Sequence, residues 1–68
     1  VTDKVEAAYR THYQHLWRTQ RYSPDYRRML LCLRWIRDMY RRKLVGQAET
    51  LHRMGELRRR IDDGQEPA

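Results

Sequence analysis

Apolar residues recur at steps of three and four along most of this chain, and nowhere do they alternate with a period of two over a strand's length. The 3.6-residue period of an α-helix gathers such residues on one face, whereas a half-buried strand needs alternation. That pattern restricts the chain to an all-α fold. Val5, Ala8, Tyr9, Tyr13, Leu16 and Trp17 form a first stripe. Tyr26, Met29, Leu30, Leu33, Ile36, Tyr40 and Leu44 form a second, and Ala48, Leu51, Met54, Leu57 and Ile61 a third.

Two local signals divide the stripes. In Ser23-Pro24-Asp25, serine is a capping residue, proline fits a first helical position where its missing N–H costs nothing, and aspartate suits the positive helix end. Farther on, Gly46 follows Arg41-Arg42-Lys43, a basic run suited to a helix C-terminus, and can adopt the left-handed cap conformation. At the start, Thr2 or Asp3 can cap the first helix, and Asp3 with Glu6 three residues later resembles a capping box. The expected helices are therefore about 3–20, 24–45 and 47–62, forming a three-helix bundle. Without a break at Gly46 the second helix continues to Arg60, giving a helical hairpin about 55 Å long. Residues 1–68 are read as a single helical domain, and 64–68 as a disordered tail.

A chain of 68 residues buries only about 60% of its unfolded surface. A core of that size supplies roughly 3–5 kcal/mol of net stability. With Cys32 as its single cysteine, the chain can form no internal disulfide. Completion by a second copy or by a partner is the expected supplement. The longest apolar run, Met29 to Leu33, is far below the roughly 20 residues a spanning helix needs. No apolar leader segment is visible, so the expected location is cytoplasmic, away from membranes.

The second helix carries most of the functional information. Opposite its main stripe lies another apolar sector of Leu31, Cys32, Trp35 and Met39. A helix apolar on two sides is either central to a bundle or pressed against a partner. Leu31, Trp35 and Met39 follow one another at i, i+4 and i+8, with Arg28 and Arg42 as a polar rim. Trp is a frequent hot spot and Met adapts to irregular surfaces, so these five residues are the candidate partner-binding set.

The charge is concentrated in the same segment. The net formal charge is +6, and residues 21–43 account for it: Arg21, Arg27, Arg28, Arg34, Arg37, Arg41, Arg42 and Lys43 stand against Asp25 and Asp38. Arg27, Arg34 and Arg41 recur at seven-residue steps between the two apolar sectors, with Arg37 at one margin and Asp38 at the other. Guanidinium forks match carboxylates and phosphates. The strip points to an acidic protein or, as the rival reading, to a nucleic-acid backbone. Tyr22 and Tyr26 beside it are read as core-edge residues that can also stack on bases.

Signs of chemistry are few. His12, His15, His52 and Cys32 have no metal-ligand spacing, and no carboxylate in the sequence is placed to join the two neighbouring histidines. The isolated Gly46, Gly55 and Gly64 build no phosphate loop. No nucleophile stands beside a base with an orienting third group. The pattern fits no zinc finger, homeodomain, RNA-recognition motif or basic zipper. The expectation is a small non-enzymatic regulatory or accessory protein, without metal, cofactor or small-molecule substrate. It would act through helix 2 on a protein partner, on another copy of itself, or, in the rival reading, on nucleic acid.

Overall fold

The computed structural model describes residues 3–64, so most of the tail expected at 64–68 lies outside the described residues. Three helices pack against one another: α1 (Lys4–Gln20), α2 (Tyr26–Arg41) and α3 (Gln47–Asp62). They run up, down and up, the arrangement that short connections impose on neighbouring helices. The chain is thus a three-helix bundle and not a hairpin.

Each helix begins and ends for a local reason. Asp3 caps α1, its Oδ1 accepting the Val5 N–H at 2.8 Å. Glu6 turns away from the capping position to bind Arg41. Between α1 and α2, Ser23 Oγ accepts the Asp25 N–H at 3.2 Å, and the Tyr26 N–H donates to the Ser23 carbonyl at 3.1 Å. That bond spans three residues and closes a tighter turn than an α-helix allows. Helix α2 therefore starts at Tyr26, two residues later than Pro24, with Ser23 capping the turn that leads into it.

The other end of α2 also departs from expectation. The helix stops at Arg41, and the left-handed residue is Lys43 at φ 61°, not Gly46. The Lys43 N–H donates to the Tyr40 carbonyl at 2.9 Å and the Leu44 N–H to the Met39 carbonyl at 3.0 Å. This pair of bonds is the Schellman closure, which satisfies carbonyls that the helix end leaves open. Gly46 is extended, at φ −79° and ψ 172°, and opens α3 as its N-cap residue. Leu44, placed in the second stripe by periodicity, is past the closure and 63% exposed. A side chain bearing Cβ is strained in the left-handed region by about 1–2 kcal/mol. Lys43→Gly is therefore expected to stabilise the fold by up to about 1 kcal/mol, after the greater unfolded-state freedom of glycine is subtracted. Chemical denaturation of both proteins measures it; a destabilised variant would contradict the described corner.

The core joins all three helices: Val5 and Leu16 from α1, Met29 and Leu33 from α2, and Met54, Leu57 and Ile61 from α3. Buried Thr50 is satisfied locally, its hydroxyl donating to the Gly46 carbonyl at 2.8 Å. Leu30, Ile36 and Tyr40 pack half-buried against this cluster. Within α2 the main stripe is taken up by the interior; of the opposite sector, Leu31 and Trp35 face outward, while Cys32 and Met39 are half-buried.

Candidate partner-binding groove

Antiparallel α2 and α3 enclose an open groove of about 830 Å³. One wall is Arg28, Leu31, Cys32, Trp35 and Ile36; the other is His52, Arg53, Glu56, Leu57 and Arg60. Both sets recur at three and four residues, so each wall is one continuous helix flank. Ile36 and Leu57 reach the core and form the floor. Leu31 and Trp35 stand higher, 57% and 59% exposed.

The rim is mostly cationic. Arg53 is held by Glu49 one turn away at 2.9 Å, and Glu56 by Arg59 at 2.7 Å. Arg28 and Arg60 come level with each other at the end of the groove far from the 42–46 corner, and neither forms an ion pair among the described residues. Two guanidiniums lining one groove favour an incoming carboxylate.

Of the residues singled out in the sequence, Leu31, Trp35 and Arg28 lie together in this groove. Met39 is half-buried and outside it, and Arg42 forms the α2 C-cap, its backbone N–H donating to the Asp38 carbonyl at 2.9 Å. The α3 wall was missed. Its signal was present in the sequence, since Arg53, Glu56, Leu57 and Arg60 share a helical flank, but nothing there shows which flank of α3 turns toward Trp35.

The arginine strip divides. Arg41 meets Glu6 of α1 at 2.8 Å, so Asp38 is not the only acid within reach. Arg37 is half-buried, lies 4.2 Å from the centre of the Tyr9 ring, and contacts Asp38 at 3.4 Å. These two therefore tie α2 to α1. Tyr40 adds a hydrogen bond, its hydroxyl donating to Asp3 Oδ2 at 3.3 Å. Arg27 and Arg34 are exposed and make no ion pair among the described residues. Tyr26 is half-buried, but Tyr22, expected at the core edge, is 88% exposed because it sits on the turn between the helices.

The histidines separate as well. His15 Nε2 lies 3.0 Å from Asp62 Oδ1, a contact between the first and last helices that the sequence spacing did not disclose. No group of three metal-ligating side chains forms among the described residues. His12 is half-buried, and its Nδ1 has no hydrogen-bond partner. Burial first, then the Arg58 and His15 charges, lower its pKa below the ordinary 6.5. The unfolded chain then takes up a proton at His12 before the folded one does. Stability is thus expected to fall as pH drops below about 6.5, the loss continuing until the folded-state pKa is passed. Thermal melts between about pH 7.5 and 5.5 check this. His12→Gln should show a shallower decline than the parent; equal slopes would remove His12 as the cause.

No helix among the described residues is long and apolar enough to cross a membrane. No protein-family model, curated protein or solved structure matches the chain.

Proposed function

We propose that this chain is a non-enzymatic interaction module whose α2–α3 groove receives an apolar segment of a partner protein, with an acidic side chain at one end of that segment. The observation that carries the reading is the exposure of Leu31 and Trp35 in the same groove as Arg28 and Arg60, which form no ion pair among the described residues. An apolar centre with a polar rim is the usual anatomy of a protein interface, and Trp is a frequent anchor. A small domain gains nothing in stability from leaving such side chains in water.

Charge argues for a complementary partner over a second copy. Two grooves brought face to face would join two surfaces rimmed mostly by arginine, and like charges across an interface are unfavourable. An amphipathic helix is a suitable occupant, because apolar residues at i, i+4 and i+7 match the spacing of the groove walls.

A synthetic amphipathic helix tests the reading, with leucines on one face and a glutamate pair at one end. A second peptide carries lysines in place of the glutamates. In a Trp17→Phe background, Trp35 is the sole indole and reports the groove. The expected result is saturable binding of the glutamate peptide with a blue shift of Trp35 emission, and much weaker binding of the lysine peptide. Equal response to both peptides, or to neither, would sink the charge-matched groove. Sedimentation over a concentration series, run without peptide, tests self-association: a dimer abolished by Trp35→Ala would make a second copy the occupant.

A further inference from the structure

A second surface stands apart from the groove, on the opposite flank of α2. Arg21 at the end of α1 lies 5.1 Å from the Trp17 ring and 4.9 Å from the Tyr22 ring. Trp17 is 51% exposed and Tyr22 is 88% exposed, so this aromatic–guanidinium–aromatic cluster keeps open ring faces in water. The contacts of Arg37 with Tyr9 and of Arg41 with Glu6 fix which flanks of α1 and α2 adjoin. Arg27 and Arg34 continue outward from the Arg41 side of α2, and Arg10 and Trp17 continue outward from the Glu6 side of α1. In the antiparallel pairing of the two helices, Arg34 comes level with the middle of α1 and Arg27 with its last turn. Exposed arginines and aromatic rings therefore share one face.

The acids near this face do not neutralise it. Asp38 is engaged by Arg37 and Glu6 by Arg41, while Asp25 is half-buried in the junction. Arg10, Arg21, Arg27 and Arg34 form no ion pair among the described residues. From this we infer that the α1–α2 face binds single-stranded nucleic acid, with bases stacking on Tyr22 and Trp17 and phosphates meeting the arginines. Alternating cations and open rings suit a flexible strand, whose bases are free to stack and whose backbone supplies one charge per nucleotide. A duplex keeps its bases stacked on one another and leaves the rings unused. An acidic peptide would satisfy the arginines but offers the rings nothing to stack on.

The test titrates the whole chain, in a Trp35→Phe background that leaves Trp17 as the only indole, with oligo-dT, oligo-U, a DNA duplex of equal length and polyglutamate. Expected are quenching of Trp17 by the single strands, binding tighter than to duplex or polyglutamate, and a salt slope near −0.7 per phosphate neutralised. Binding of either oligo-dT or oligo-U in preference to duplex and polyglutamate supports the inference. Tyr22→Ala should weaken single-strand binding by about tenfold or more, the scale of one lost base stack. That exposed side chain has no part in the core, and unchanged helicity of the variant verifies it. Duplex or polyglutamate binding as tight as single strand, absence of quenching, or an unaffected Tyr22→Ala variant would each overturn the inference. Because the groove is read through Trp35 and this face through Trp17, failure of one reading is distinguishable from failure of the other.

Discussion

Truncating Leu33 to alanine is expected to leave the chain unfolded at room temperature. Leu33 is 1% exposed and belongs to the core cluster that joins α1, α2 and α3. Removing a buried leucine beyond its Cβ costs about 2–5 kcal/mol, part from lost transfer energy and part from the cavity left behind. The whole domain holds roughly 3–5 kcal/mol, so one such cavity consumes most of it. Circular dichroism should show loss of the helical signal, since short helices are marginal once tertiary packing is gone. Leu33→Met, which nearly conserves volume, should remain folded at a cost below about 1.5 kcal/mol. A Leu33→Ala protein melting near the parent temperature would contradict the core described above.

Two positions along the same helix, the opposite behaviour is expected. Trp35→Ala should melt close to the parent, because the ring is 59% exposed and its loss opens no internal cavity. Binding of the glutamate-bearing peptide should weaken by about 2 kcal/mol or more, equivalent to roughly 30-fold, if Trp35 is the anchor. Isothermal titration beside a melt separates the two quantities. An unfolded Trp35→Ala protein would mean that the indole supports the core, and unchanged affinity would mean that the peptide docks elsewhere. Leu31→Ala should follow the same pattern with a smaller loss, since leucine buries less surface than tryptophan.

The fold was legible where the relevant physics is local. Period-3.6 spacing marks Met29, Leu33, Met54, Leu57 and Ile61 as interior, and all are buried. Asp3 as a cap follows from side-chain chemistry within a few residues, and the basic run before Gly46 marks the end of α2 to within a few positions. Where long-range geometry decides, the sequence was silent. The pairing of Glu6 with Arg41 and of His15 with Asp62 joins residues 35 and 47 apart, so neither is visible in helical spacing. The corner between α2 and α3 shows a different limit. Glycine is favoured in the left-handed position, but the Schellman closure placed Lys43 there and left Gly46 extended. Half of the groove was likewise hidden, because the rotation of α3 about its axis sets which residues face Trp35.

The burial of methionine has a chemical consequence for the lifetime of the protein. Met54 is fully enclosed, Met29 is 6% exposed, and Met39 lies half-buried near the end of α2. Peroxide converts an accessible thioether to a polar sulfoxide, and within a core that group disrupts packing. Met39 should oxidise directly from the folded state, whereas Met54 is reached only when the bundle opens. The delay between the two sulfoxides then acts as a clock for opening, readable by mass spectrometry without any label. Once Met54 is oxidised, reclosure is disfavoured, and a transient opening becomes lasting damage that only a sulfoxide reductase reverses.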